Sequence, residues 1–141
     1  MSGPHRQTIF HDDPGGRPGN CMQAAVASLG GWELGEVPHF MRGDPVDQPS
    51  DGLWWYAYVG FLAALEPAHR LCSVEVDPRH PGELPDHPCL VVGKSPRGDF
   101  AHVVVYWGAP GDWWDPHPSG AGLDTVTRLE WWEPWDQEPT R

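Results

Sequence analysis

The sequence predicts a single α+β domain, and three observations support that prediction. The 141 residues are about one domain's worth of chain, with one hydrophobic core. Apolar residues recur at helical spacing in the first half, and short β-branched runs bounded by turn signals fill the second half. Helices followed by antiparallel strands are typical of an α+β fold, in which the first helix packs on the sheet. We therefore expect one domain over residues 1–141.

The two ends of the chain are predicted to be irregular. Residues 1–19 hold few apolar side chains and end in the glycine- and proline-rich run PGGRPG, which is typical of an arm that makes a close backbone approach. Residues 133–141 are predicted to form a loose tail.

Two helices are predicted in the first half. The first begins at Cys21, with Asn20 as its amino-terminal cap and Gly30-Gly31 as its stop signal. Its apolar stripe comprises Met22, Ala25, Val26 and Leu29. The second helix should run roughly over residues 51–65 and pack beside the first. The residues expected on its buried face are Leu53, Ala57, Gly60, Phe61 and Ala64.

Five strands are predicted in the second half, because β-branched and aromatic residues alternate with turn signals there. Their expected ranges are 71–76, 89–93, 101–107, 113–115 and 125–132. The run GAPGD between the third and fourth strands indicates a hairpin turn.

Composition excludes several classes of partner. The 20 acidic against 9 basic residues give a net charge of -11, which repels phosphate backbones and anionic lipids, so we expect neither nucleic acid nor a membrane as a partner. No secretory signal is recognisable, and we expect a cytoplasmic protein. Three cysteines without a CxxC pair indicate free thiols instead of disulfides or a zinc ribbon, and no cofactor is indicated.

The stretch PGGRPGNCMQAAVASLGG places Cys21 at the first position of a helix. The positive end of the helix dipole and the unpaired backbone N–H groups both favour a thiolate there, and the same amides can donate to an oxyanion. Cys21 is therefore a candidate nucleophile that needs a base and an orienting group.

His102 and Asp115 are the candidate base and orienting residue. With a hairpin loop centred near residues 109 and 110, Asp115 falls opposite Val104, and His102 becomes its diagonal neighbour on the same face. A carboxylate in that position holds an imidazole in one tautomer and completes a Cys, His, Asp triad.

These residues, in this order, resemble the papain-like cysteine peptidase superfamily. More narrowly, GNCMQAAVASLGG, EVPHF, KSPRGDFAHVVVY and WDPHPSGAGL resemble a group of uncharacterised bacterial and phage proteins of papain-like type, over approximately residues 5–123. The resemblance implies a compact papain-like fold, with Cys21 as nucleophile, His102 as base and Asp115 as orienting residue. The third member is Asp where papain has Asn, and the chain is shorter than papain and lacks a recognisable second lobe.

The resemblance also implies a glutamine upstream of the cysteine that donates to the oxyanion. Gln7 is the match, at a longer distance from Cys21 than in papain because of the run HDDPGGRPG. Asn20 and Gln23 are the alternatives for this role.

Several of these residues, and others in the chain, also have structural or alternative interpretations. Cys72 and Cys89 lie in strand patterns and are expected to be core residues. Asp115 precedes a proline and could initiate a turn. A metal site built from His102, Asp115 and His117 is an alternative, although no helical HxxxH or HExxH spacing occurs. The tryptophan pairs at 54-55, 113-114 and 131-132 are expected to be core and rim aromatics, some of which could line a cleft.

Two functions remain open from the sequence. The first is a thiol-dependent hydrolase or acyl transferase that acts on the amide, peptide or thioester carbonyl of a peptide, protein or small amide through an acyl-enzyme. The second is a catalytically silent papain-like scaffold that binds another protein through its acidic, tryptophan-rich surface. The bond type and the oligomeric state are left open.

Overall fold

The fold is α+β, as predicted, with two helices packed on one five-stranded antiparallel sheet. The computed structural model describes residues 3–10, 19–40, 53–77, 79, 82 and 84–136. In chain order its helices and strands are α1 (Cys21–Gly30), α2 (Leu53–Ala63), β1 (His69–Glu75), β2 (Cys89–Lys94), β3 (Ala101–Tyr106), β4 (Trp113–Trp114) and β5 (Thr125–Pro134). A single 3-10 turn, Leu34–Glu36, follows α1.

The strand order is β1-β5-β2-β3-β4, and every neighbouring pair is antiparallel. All five strands were predicted, and β5 runs two residues into the predicted tail. The rest of that tail, residues 137–141, lies outside the described residues. The described part of the arm, residues 3–10, contains no helix or strand, in agreement with the prediction.

A close backbone approach marks the middle of the sheet. Gly93 of β2 lies opposite His102 of β3, and a β-bulge interrupts the pairing of β2 with β5 between Val92 and Gly93. A Cβ atom on Gly93 would overlap the backbone carbonyl of Thr125. Only glycine therefore fits at this position, which faces the candidate base.

Helix α1 packs on β3 and β2 as predicted. Met22, Ala25 and Val26 are buried, and Leu29 is partly buried against the same cluster. Gly31 adopts the left-handed conformation, with φ of 71°, and its N–H closes the helix on the carbonyl of Ser28. Burial of side chains such as Val26 contributes about 1.5–3 kcal/mol each.

The predicted buried face of α2 is confirmed only at Phe61, which is partly buried against the core, and the side chain of Leu53 lies outside the described residues. Ala57, Gly60 and Ala64 are exposed, while Tyr58 and Leu62 are fully buried. Trp54, Phe61 and Leu65 pack against the same cluster. The stripe is rotated by about one residue, because the large side chains bury more apolar area than alanine and glycine do. The predicted start of this helix, residues 51 and 52, lies outside the described residues.

Helix α2 packs mainly on β1. Its rings also contact the segment that follows α1: Phe61 meets Trp32 edge to face at 5.4 Å, and Tyr58 lies 5.2 Å from Phe40. The rings of Trp32 and Phe40, more than direct contact between the two helices, therefore join α2 to the side of the core on which α1 lies. No helix in the described part of the chain is long and apolar enough to cross a membrane.

Candidate active site

The start of α1 is open toward a cleft. Cys21 is the first residue of the helix and is partly buried. The first amide bonded in the helical pattern is that of Ala24, which donates to the carbonyl of Asn20 over 3.0 Å. The N–H groups that precede it have no partner in that pattern and point along the positive end of the helix dipole. The thiol therefore lies beside backbone donors.

The prediction that Asn20 caps the helix is wrong. Its side chain makes no capping hydrogen bond, and its Oδ1 accepts instead from the backbone N–H groups of Thr8 and Ile9 at 2.9 and 2.8 Å. Its Nδ2 donates to Thr8 Oγ1 and to Gln23 Oε1, both at 3.1 Å. The buried Asn20 thus fastens the arm to the start of α1, because these tertiary partners use its whole hydrogen-bonding capacity.

His102 and Asp115 meet as the sequence register predicted. The pairs Val105–Trp114 and Tyr106–Trp113 set a register that continues to Val104 opposite Asp115. His102 Nε2 lies 2.7 Å from Asp115 Oδ1, and His102 is 1% exposed. Since an ionised carboxylate only accepts, Nε2 carries the proton and Nδ1 is the nitrogen left for another partner.

The carboxylate of Asp115 accepts three donors. Oδ1 also accepts the backbone N–H of His117 at 2.8 Å, and Oδ2 accepts that of Gly122 at 2.8 Å. Burial raises the pKa of Asp115, but the bonds from His102, Gly122 and His117 and the charge of His102 lower it to below its usual value. The two interpretations from the sequence are both correct in geometry, because Asp115 orients the imidazole and shapes the turn.

Cys21 and His102 are brought together from distant parts of the chain. Burial lowers the pKa of His102, but three influences raise it: the hydrogen bond that His102 donates to Asp115, the hydrogen bond with Cys21 and its charge, and the charge of Asp115. The net pKa is about 9. His102 is therefore held in its protonated form at neutral pH, between a carboxylate and a sulfur.

Gln7 reaches the same cleft from the arm. Its backbone N–H donates to the carbonyl of Pro116 over 3.0 Å, which ties the arm to the loop after β4. Its Nε2 donates one proton to the carbonyl of Ile9 at 3.0 Å, and its second proton has no acceptor among the described residues. Asn20 and Gln23, the alternatives, are engaged elsewhere: Gln23 Nε2 donates to the carbonyls of Leu34 and Val37.

The cleft has a volume of about 760 Å³. Its described lining is Gln7, Phe10, Gly19, Cys21, Met22, Trp54, Val92, Arg97, Phe100, Ala101, His102, Val103, His117, Thr127 and Arg128. The sequence reasoning missed Arg97 and Arg128 as individual site residues. Arg97 stands within the motif KSPRGDF, which could have indicated it as a site residue. Arg128 reaches the cleft only because β5 pairs with β2, and no local motif marks it.

The other two cysteines are placed differently. All three are free thiols, and Cys89 is fully buried, which raises its pKa to about 11. Burial first, and then the charge of Glu133, raise the pKa of Cys72. Both thiols are therefore protonated and weakly nucleophilic at neutral pH.

The metal alternative has no support in the geometry of the described residues. No group of three or more His, Cys, Asp or Glu side chains among them is placed to hold a metal ion. His117, one of the proposed ligands, directs Nδ1 to Ser119, at 2.8 Å from its Oγ.

Comparison of the chain with models of protein families, with curated proteins and with solved structures finds no match.

Proposed function

We propose that this protein is a thiol-dependent hydrolase or acyl transferase of papain-like type, which acts on an amide, peptide or thioester carbonyl through an acyl-enzyme. One observation carries the proposal. Cys21, at the start of a helix, contacts the imidazole of His102, whose far nitrogen is held by Asp115 at 2.7 Å, and the first two residues line an open cleft. This is the geometry that activates a cysteine nucleophile.

The reaction uses the groups in order. The thiolate of Cys21 attacks the substrate carbonyl and forms a C–S bond, which moves an electron pair onto the carbonyl oxygen. When that pair returns, the C–N, C–O or C–S bond to the leaving group breaks, and protonated His102 gives its Nδ1 proton to the leaving atom. Neutral His102 then takes a proton from water or an acceptor amine, which attacks the thioester and releases Cys21.

The developing oxyanion has two sources of hydrogen bonds. The N–H of Cys21 is outside the helical bonding pattern, and the spare Nε2 proton of Gln7 lies in the same cleft. Fixed donors of this kind stabilise charge in the transition state at little reorganisation cost.

Asp115 would be the third member of the triad, at the position where papain has asparagine. Both oxygens of Asp115 accept, two donors on Oδ1 and one on Oδ2. An asparagine would turn an N–H₂ group against one of these donors, so aspartate suits this loop. Three free thiols fit a reducing compartment, and we propose a cytoplasmic location for the enzyme.

The test is selective alkylation. At pH 7 and with limiting iodoacetamide, peptide mapping should show Cys21 modified at least about tenfold faster than Cys72 and Cys89, because its sulfur contacts protonated His102, whereas burial raises the pKa of the other two thiols. His102→Ala should remove this preference, and Cys21→Ser should leave only the slow sites.

Turnover is tested with p-nitrophenyl acetate. We expect a burst of p-nitrophenol equal to the enzyme concentration and one acetyl group on the peptide that contains Cys21. Equal, slow alkylation of all three cysteines and no burst would exclude the enzyme and favour a silent scaffold.

A further inference from the structure

The cleft has the opposite charge to the rest of the protein. The chain carries a net charge of -11, yet the described lining of the cleft holds Arg97 and Arg128 and no aspartate or glutamate. An acidic protein repels anions over its surface, so basic side chains gathered beside the nucleophile create a local exception.

Arg97 is the more available of the two cations. Its backbone N–H donates to Ser95 Oγ at 3.1 Å, and its Nη1 donates to Ser119 Oγ at 3.2 Å. Within the described part of the chain it forms no ion pair with a carboxylate. The guanidinium is therefore positioned by a neutral partner, and no carboxylate of the described residues pairs with its charge.

His117 adds a neutral donor beside Arg97. Ser119 Oγ accepts from Arg97 and from the N–H of Ala121, so its own proton goes to His117 Nδ1 at 2.8 Å. The N–H of Ser119 donates to the same Nδ1 at 3.0 Å. Because Nδ1 accepts twice, the ring proton of neutral His117 is on Nε2.

The protonation state of His117 agrees with this assignment. Burial, together with the charges of Arg97, His102 and Arg6, holds the pKa of His117 below its usual value, against the opposing charge of Asp115. The ring of His117 lies 6.4 Å from that of His102, centroid to centroid, so the donor is close to the candidate base.

Arg128 completes the arrangement on another wall. Its Nε binds Oε2 of Glu130, which is fully buried and holds the guanidinium in place. Its Nη groups have no protein acceptor among the described residues, and the guanidinium carbon lies 5.9 Å from the ring of Trp54. Glu130 offsets the charge of Arg128, and Asp115 offsets that of protonated His102. Arg97 is therefore the cation of the described lining that has no carboxylate partner among the described residues.

We propose that Arg97, supported by the Nε2–H of His117 and by Arg128, binds a carboxylate of the substrate, so that the preferred substrates are amides or peptides with an acidic group near the scissile carbonyl. This inference rests on the proposed function and names its substrate class. A guanidinium fork matches the two oxygens of a carboxylate, and the resulting charge-assisted hydrogen bonds are stronger than neutral ones.

Pairs of alkylating reagents that differ only in charge test the proposal. The probes are iodoacetyl-glycine, iodoacetyl-β-alanine and iodoacetyl-γ-aminobutyrate, each compared with its primary amide. The series varies the distance between the reacting carbon and the carboxylate. Rates at Cys21 are measured by peptide mapping at pH 7 and low salt, and glutathione gives the reference ratio for a free thiol.

For at least one chain length, we expect the acid to react about tenfold faster than its amide, relative to glutathione, which corresponds to about 1.4 kcal/mol and is within what one charge-assisted hydrogen bond contributes. Arg97→Gln should abolish that preference, because the acid then reacts no faster than its amide relative to glutathione. Added salt should weaken the preference.

The matched control is Arg79→Gln, which removes the same charge from a side chain that is 85% exposed. We expect this variant to keep the preference. Without a carboxylate site, the negative charge of the protein makes every acid react more slowly than its amide, and that result would overturn the inference.

The two proposals fail differently. Slow modification of Cys21 by every reagent would reject the proposed function, whereas rapid, His102-dependent modification without an acid preference would reject only the carboxylate site. The shift of the His117 ring signals with N-acetylglycine, but not with its primary amide N-acetylglycinamide, provides a readout that does not use Cys21. Equal shifts with the two ligands would contradict the inference.

Discussion

His102 Nε2 donates to Oδ1 of Asp115 over 2.7 Å, and this bond links the middle of the sheet to the loop that follows its edge strand β4. Because Oδ2 of the same carboxylate accepts the N–H of Gly122, the position needs two acceptor oxygens.

Replacement of Asp115 by asparagine should therefore harm both stability and reactivity. One donor would face an N–H₂ group, at a cost of about 1–3 kcal/mol in the free energy of unfolding. Loss of the charge should also lower the pKa of His102 and slow alkylation of Cys21 at pH 7 by about tenfold or more. Urea denaturation and iodoacetamide kinetics measure the two effects. The exposed Asp112→Asn is the control, and an Asp115→Asn rate within about twofold of the parent would contradict the prediction.

The raised pKa of His102 predicts a dependence of stability on pH. The native pKa of about 9 exceeds the usual 6.5, so the folded protein binds this proton more tightly than the unfolded chain. The contribution, about 3 kcal/mol, is full below pH 6.5 and is lost as pH rises through about 9.

Urea denaturation at pH 6, 8 and 10 measures this window, and His102→Gln supplies the reference. The stability difference between the two proteins should shrink steadily with rising pH. Imidazole NMR signals of His102 should titrate near pH 9 and shift to lower pH in Cys21→Ala, since the charge of the sulfur helps to raise this pKa. A constant stability difference across the three pH values would show that the prediction is wrong.

Two glycines should respond in opposite directions to alanine. Gly93→Ala places a methyl group against the backbone carbonyl of Thr125, so we expect a loss of about 2–4 kcal/mol and slower Cys21 alkylation, because the opposite residue is His102. Gly60→Ala adds a methyl group to an exposed helical position with open space around it. There we expect a gain of about 0.5–1 kcal/mol. Thermal unfolding measures the stability change of each variant relative to the parent. Equal stability changes in the two variants would contradict the close approach of Gly93 to Thr125 at the bulge.

Removal of the buried hydroxyl of Tyr58 should lower the stability of the protein and leave the reactivity of Cys21 unchanged. Tyr58 is fully buried, and its hydroxyl accepts the indole N–H of Trp132 at 2.7 Å. Tyr58→Phe leaves that donor without its acceptor, so we expect a loss of about 1–3 kcal/mol with an unchanged Cys21 alkylation rate. The matched control Tyr56→Phe, at a residue 72% exposed, should change stability by less than about 0.5 kcal/mol. Similar losses in the two variants would argue against the buried bond.

The elements predicted best from the sequence are those that local rules decide. Cys21 at the start of α1 and Gly31 at its end follow from backbone preferences, and the register of Asp115 follows from a short hairpin loop whose centre the residues GAPGD mark. Because the side-chain period of a strand is two, that single register placed His102 and Asp115 on one face.

The features that sequence reasoning missed depend on tertiary partners. Asn20 binds the arm, which competes for the same oxygen that would cap the helix. The buried stripe of α2 was assigned by spacing alone, while the volume of Tyr58 and Leu62 decides which face is buried. Arg97 and Arg128 line one cleft only because β2 pairs with β5, and no local pattern in the sequence indicates that pairing.

The fastening of the arm to both Asn20 and the loop after β4 has a consequence for biosynthesis. Cys21 leaves the ribosome before His102 and Asp115, which follow it far along the chain. A nascent or truncated polypeptide that ends before the β3–β4 hairpin carries Cys21 without the imidazole that it contacts in the folded protein. The arm likewise has only one of these two anchoring points, at Asn20, until the loop after β4 is in place.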